Sequence, residues 1–254
     1  LEERIRDRTA ELIAANEELE TFTYSIAHDL RAPLRQIHGY AQILEEECGE
    51  TLSEEGLRYL HRISQRGKDM GQMVDDLLKL SLVSKQELGR ERASLENLLQ
   101  ESRASLQQET DGRNIEWAGT PLPEAFVSVS LMRQVFVNLL SNAVKYSRPR
   151  NPARIETGTV RVSGPLGPEE AVYVRDNGVG FDMRQADRLF GVFQRLHSAK
   201  DFEGTGVGLA LVARVVRRHG GRIWAEGEPD KGATFYFTLG SMGGNGHQEG
   251  LSKA

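Results

Sequence analysis

Residues Tyr24–Leu34 read YSIAHDLRAPL, and the reading of this stretch decides what the first part of the chain folds into. Upstream of it, apolar residues stand at Ile5, Leu12, Ala15, Leu19, Phe22 and Ile26, in steps of 7, 3, 4, 3 and 4 with Arg8 in the missing place. That is the heptad spacing of a helix with one narrow apolar seam, which needs a second helix to cover it. Beyond Ile26 the seam continues through Leu30, Leu34, Ile37, Ala41 and Leu44. Its two successive steps of four form a stutter, a local unwinding of a supercoil. The stutter spans His28 and Pro33. Proline inside a helix removes a backbone hydrogen bond and crowds the preceding turn, so the spot reads as bendable. His28 lies two positions past Ile26, off the seam, and is predicted to face solvent beside Asp29.

Outward from there, Cys48-Gly49-Glu50 is a turn, and Thr51 with Glu54 forms a candidate capping box. A second amphipathic helix follows, with Leu60, Ile63, Gly67, Met70, Val74, Leu77 and Ser81 at steps of three and four. Two such helices in a hairpin, doubled by self-association, make a four-helix bundle. SKQELGRERAS at 84–94 is polar and breaks the pattern, so a linker is placed there. After it the character changes. Leu95 to Leu106 marks a helix, Ile115–Trp117 a short strand, and Ser130–Lys145 a helix that Ser130 caps. Strands are expected at Thr159–Ser163 and Ala171–Arg175, separated by the turn cluster at 164–168. A helix over Gly208–His219 and strands at Arg222–Glu226 and Thr234–Leu239 complete an α+β domain. The Gly-rich 241–254 reads as a disordered tail.

The chain has 254 residues, 39% hydrophobic and 27% charged, with a net charge of −5. That suits globular domains and gives no polyanion-binding surface, so no nucleic-acid partner is expected. No run approaches the about 18 apolar residues of a membrane span, so no membrane contact is expected. Cys48 is the single cysteine, which excludes an intrachain disulfide and points to a reducing, cytoplasmic setting. The sequence begins in mid-pattern without Met and reads as a piece of a longer chain.

Four stretches carry chemistry. In His28-Asp29, a carboxylate that holds the proton on one ring nitrogen makes the imidazole a nucleophile. In NLLSNAVKYS, Asn138 to Ser147, Asn138 and Asn142 share a helix face and offer amide oxygens to a hard cation. Lys145 there suits a phosphate, and Tyr146 a flat base. In DNGVGF, Asp176 to Phe181, the carboxylate at a strand end suits the exocyclic amine of a base, and glycines let a ligand reach the backbone. In GTGVGL, Gly204 to Leu209, glycines precede a helix N-terminus, which favours phosphate oxygens. Neither the dinucleotide fingerprint nor a P-loop is present. The segment between the last two stretches, with FGVFQRLHSAKDFE, reads as a lid.

In this order and spacing, the stretches resemble the sensor histidine kinases of two-component signalling, most of all the phytochrome-like and PAS-linked branch. SIAHDLRAPL is similar to the histidine box, NLLSNAVKYS to the N-box, DNGVGF and GTGVGL to the glycine boxes, and FGVFQRL to the F-box. The resemblance implies a multidomain α and α+β fold. A dimeric helical hairpin forms a four-helix bundle, and a Bergerat-type α/β sandwich of the gyrase and heat-shock-ninety kind binds ATP. The divisions are a signalling coiled-coil helix at 1–22, a dimerisation and phosphotransfer domain at 23–86, a linker at 87–93, a catalytic domain at 94–240 and a tail at 241–254. His28 becomes the phosphoacceptor and Asp29 its polarising acid. Asn142, with Asn138, holds Mg2+; Lys145 meets phosphates, Tyr146 flanks adenine and Asp176 accepts from its amine. Gly178, Gly180, Gly204, Gly206 and Gly208 shape the pocket and lid, with Thr205, Val207 and Leu209 at the nucleotide. Arg195 reaches the γ-phosphate. A homodimer, ATP with Mg2+, and transfer to an aspartate of a response regulator receiver domain are implied, under an upstream sensor. Ala32 stands where many members carry Thr or Asn, which removes a residue used in dephosphorylating the partner. Two rivals are a non-catalytic scaffold and a clamp-type ATPase. The latter usually places a glutamate where this chain has RQVFVN.

Overall fold

The computed structural model describes residues 2–164, 167–198 and 201–240. The tail 241–254, and Pro165 and Leu166 of the turn cluster, lie outside the described residues, as do the side chains of the seam residues Ile5, Leu12 and Leu19. The chain forms two compact units, one of residues 1–87 with 190–211 and one of residues 88–189 with 212–254.

The first unit is built on α1, Glu2–Cys48, and α2, Glu54–Lys85, packed as a hairpin. α1 runs through Pro33 without a break. Its buried apolar positions are Ala27, Leu34 and Ala41. Ala27 and Leu34 meet Val74 and Leu78 of α2. The expected seam residues Ile26, Leu30, Ile37 and Leu44 stay exposed, at 42%, 47%, 47% and 50%. A single neighbouring helix covers only one edge of an apolar stripe, so the rest faces outward. At Gly67 the two helices approach closely, where a Cβ would stand 3.4 Å from that of His38. The cap of α2 lies at Ser53, whose Oγ accepts from Gly56 N at 3.1 Å, and not at Thr51. Thr51 Oγ1 instead donates to Cys48 O at 2.8 Å and closes the turn behind α1.

The second unit starts with β1, Glu91–Ser94, which begins inside the stretch read as a linker, and continues into α3, Leu95–Ser105, and a one-turn α4, Gln107–Thr110. Then come β2, Ile115–Gly119, β3, Glu124–Val127, and α5, Val129–Tyr146. β4, Ala153–Gly164, and β5, Gly167–Asp176, are longer than the alternation suggested, and a 3-10 turn follows at Met183–Arg188. α6, Gly208–Arg218, opens on the glycine loop, and β6, Ile223–Glu228, and β7, Gly232–Thr238, close the unit. The main sheet has the order β2-β4-β5-β7-β6, antiparallel except for the parallel β2–β4 pair, and β1 pairs β3 in a separate ribbon. α5 packs on α3 and on β4 and β5. Leu131, Val135, Leu139 and Val144 are buried, as their helical spacing predicts, and Phe136 meets Phe237 edge-on with ring centroids 6.1 Å apart. The helix starts one residue before Ser130. Ser128 at the cap makes no side-chain capping bond, and its N–H donates to His219 Nε2 at 3.0 Å. His219 is 2% exposed, and its Nδ1 bonds Val215 O at 2.8 Å, so both ring nitrogens are used in the neutral form. Burial holds its pKa below the ordinary imidazole value.

Candidate active site

On α1, the His28 side chain is 66% exposed, and its Nδ1 lies 3.2 Å from Asp29 Oδ1. An ionised carboxylate only accepts hydrogen bonds, so the ring proton sits on Nδ1. Nε2 then keeps its lone pair, and it has no hydrogen-bond partner among the described residues. One turn on, Arg31 is anchored to Asp75 of α2 at 2.6 Å, which ties the histidine-bearing stretch to the hairpin. His38 pairs with Ser64 at 3.1 Å and His61 with Glu45 at 2.7 Å; both serve the helix crossing.

The same unit holds the F-box and glycine loop. Phe193 adopts φ +59 and is 48% exposed. Arg195 donates to the Phe202 carbonyl, inside its own loop. Gly204 and Gly206 adopt φ +138 and +75, values that L side chains avoid. A Cβ at Gly206 would stand 2.7 Å from Gln194 O. Thr205 Oγ1 donates to Asp76 Oδ2 at 2.7 Å. Val207 is buried, its carbonyl accepts the first bond of α6 from Leu211 N, and Gly208 and Leu209 lie in the first turn.

In the second unit, α5 presents Asn138, Asn142, Lys145 and Tyr146. Asn138 Nδ2 donates to Gln134 O at 2.8 Å, which leaves Oδ1 uncommitted, and the Asn142 amide makes no hydrogen bond among the described residues. Lys145 Nζ sits 4.4 Å over the Tyr146 ring. Asp176 ends β5 and is 5% exposed. Its Oδ1 accepts from Gly178 N at 2.8 Å, and its pKa is pushed up to about 6 by burial, against the lowering effect of backbone bonds from Gly178 and Ala233. A Cβ at Gly178 would stand 2.5 Å from Tyr146 O, and one at Gly180, φ +62, would stand 1.9 Å from Glu228 O. Both glycines are therefore required by close backbone approach. Val179 N donates to Tyr146 O at 3.1 Å, which fastens the turn to the end of α5.

Sequence reasoning missed Arg150, which braces this turn from outside. Its guanidinium donates to Asn177 O at 2.9 Å, Gly178 O at 3.0 Å and Asp230 O at 2.7 Å. Its partners are carbonyls, which leave no trace in residue spacing. Among the described residues no group of His, Cys, Asp and Glu forms a metal cage. Two uncommitted amide oxygens instead fit a hard cation such as Mg2+, which keeps most of its water and phosphate ligands.

Comparison with known proteins decides the family. Residues 18–85 match the His Kinase A (phospho-acceptor) domain, and residues 128–241 match the histidine kinase-, DNA gyrase B- and HSP90-like ATPase. This chain is a member of the sensor histidine kinase family. Among its kinase relatives, Cyanobacterial phytochrome A of Nostoc sp. is 34% identical over 229 residues, 90% of this chain and 29% of that protein. The Methanogenesis regulatory histidine kinase FilI of Methanothrix harundinacea is 34% identical over 236 residues, 92% of this chain and 26% of that protein. The chain thus spans under a third of the length of either relative. A crystal structure of full-length ShkA in complex with AMPPNP aligns with a TM-score of 0.61 at 25% identity, over 86% of this chain and 45% of that one.

Proposed function

We propose that this kinase core is an ATP-dependent protein histidine autokinase with His28 as phosphoacceptor. The observation that carries the reading is the outward Nε2 lone pair of His28, with the ring proton held on Nδ1 by Asp29 at 3.2 Å. Nε2 attacks the γ-phosphorus of ATP, the bond to the bridging oxygen breaks, and ADP leaves. The positive charge that develops on the ring is stabilised by the Asp29 carboxylate. Phosphoryl transfer demands mainly position and neutralised charge. Asp176 orients the adenine by accepting from its amine, Tyr146 flanks the base, and Lys145 meets phosphate oxygens. Gly178 and Gly180 shape the pocket by letting the turn close against Tyr146 O and Glu228 O. Gly204, Thr205, Gly206, Val207, Gly208 and Leu209 contribute a phosphate-binding loop, with Arg195 for the γ-phosphate. Asn142 with Asn138 would hold Mg2+, which when bound neutralises the phosphate oxygens.

The hairpin pairs with a second copy, and the phosphoryl group passes to an aspartate of a response regulator receiver domain. Ala32 in place of a polar side chain argues against efficient dephosphorylation of that partner. Because the chain spans 29% of its phytochrome relative, control is assigned to segments outside it. The sequence-based division into 1–22, 23–86, 87–93, 94–240 and 241–254 is retained as part of this reading. Among the described residues no helix is long and apolar enough to cross a membrane, and the use of ATP places this part in the cytoplasm.

Incubation with γ-labelled ATP tests the reading. Acid-labile, alkali-stable label on the wild-type chain, absent in His28→Gln, is the expected outcome, followed by discharge onto a receiver domain. Free phosphate without labelled protein identifies an ATPase instead. No turnover at all identifies a scaffold.

A further inference from the structure

A cavity of about 320 Å³ opens in the second unit, between α3 and the β2 edge of the main sheet, and Asp176 is not among its lining residues. That volume lies at the lower end of the range of small-molecule sites, about 300–1,000 Å³. Its walls are unusual in what they leave uncommitted. The Arg103 guanidinium carbon lies over the Trp117 ring, 4.4 Å from its centroid, and Arg103 forms no ion pair among the described residues. The two acids of α3 nearest to it are used elsewhere. Glu96 accepts from Gln100 Nε2 at 2.7 Å and from Leu122 N at 2.9 Å, and Glu101 accepts from Arg133 at 2.5 Å. Partial burial lowers the Arg103 pKa by desolvation.

Three more donors line the same space without a partner. The indole N–H of Trp117 and the hydroxyls of Thr120 and Thr157 make no hydrogen bond among the described residues. Thr157 is only 8% exposed, so its hydroxyl has little access to water except through the cavity. Leu99, Leu140 and Pro121 give the wall its apolar part, and Glu96 and Gln100 of α3 line it as well, with Glu96 held by its bonds from Gln100 and Leu122. The one carboxylate in the lining, Glu96, is already engaged by two hydrogen bonds. The guanidinium has no ion pair and three donors stand open, which favours an anion at the Arg103 end, and the apolar wall suits a hydrocarbon body.

We propose that this cavity is a binding site for a small organic monocarboxylate, with its carboxylate on Arg103, Trp117 Nε1 and Thr157 Oγ1 and its apolar part against Leu99, Leu140 and Pro121. The site does not depend on the nucleotide reading, because none of these residues serves it. The chain has two tryptophans, so nitrogen-labelled protein gives two indole signals, with Trp224 on β6 as the internal reference. Titration with benzoate, in the absence of nucleotide, is expected to move the Trp117 signal saturably and leave Trp224 in place. The neutral isostere benzamide should not do so. Arg103→Gln should weaken benzoate binding at least about tenfold, the loss of one charge-assisted contact. Thr157→Val should weaken it by a smaller factor. An unchanged Trp224 signal reports that each variant is folded; should Arg103→Gln fail that check, Thr157→Val and the benzamide comparison decide. No saturable shift with benzoate, an equal shift with benzamide, or undiminished binding by the folded Arg103→Gln chain overturns the proposal.

Discussion

At the scale of the residue, Asp176 carries the strongest conflict between stability and function. Its folded-state pKa of about 6 stands above the ordinary 3.8 because burial opposes the charge. Between those values the folded chain holds a proton that the unfolded chain has released, so stability is lost as pH rises through the window. The shift corresponds to up to about 3 kcal/mol at about 1.4 kcal/mol per unit. Asp176→Asn removes the charge and its pH dependence. Its stability relative to wild type should therefore rise by up to about 3 kcal/mol between about pH 4 and pH 8, read from thermal unfolding of both proteins. A difference that stays flat with pH would show that the carboxylate is not destabilised by its site. The same charge is what an amine donor needs. ATP affinity of the wild type should strengthen as pH rises through about 6, and Asp176→Asn should lack that rise as well as most of the affinity.

At the scale of the element, α1 keeps helical hydrogen bonding through Pro33, although the ring removes one bond from the ladder. Pro33→Ala should leave helix content unchanged and raise thermal stability, by up to the about 3 kcal/mol that an interior proline costs. It should leave nucleotide affinity alone and alter the rate of His28 labelling if the proline tunes the bendability of that stretch. Identical labelling rates in the two proteins would remove that role. Long amphipathic elements like α1 and α5 were legible because burial imposes a period on their side chains. β1 and β3 were not, since four residues in a two-stranded ribbon show no period and their pairing joins positions distant in the chain. The boxes around His28, Asn142 and Asp176 were legible as residue types at fixed spacing. The braces were not: Arg150 acts on carbonyls, and His219 links the start of α5 to the end of α6 through a backbone N–H. The cap of α2 shifted from Thr51 to Ser53 because both hydroxyls follow the same turn and only the backbone decides which one meets an open N–H.

At the scale of the whole molecule, the apolar side of the hairpin requires a cover. Ile37 of α1 and Ile63 and Met70 of α2 are exposed at 47%, 51% and 51%, and with Leu34, Tyr59 and Gly67 they line a groove of about 480 Å³. Burying each such side chain is worth about 1.5–3 kcal/mol. The heptad steps of the sequence require a partner without naming it, and the phospho-acceptor domain match makes a second copy the natural occupant. Replacing Ile37 and Ile63 with Glu places two carboxylates in that groove, where desolvation opposes them. Neither side chain belongs to the hairpin's own core of Ala27, Leu34, Val74 and Leu78, so each hairpin should persist. Sedimentation equilibrium should report a dimer for the wild type and a monomer for Ile37→Glu/Ile63→Glu, with helical circular dichroism retained. A double variant that remained dimeric would move the interface off this groove, and a wild type that sedimented as a monomer at micromolar concentration would remove it.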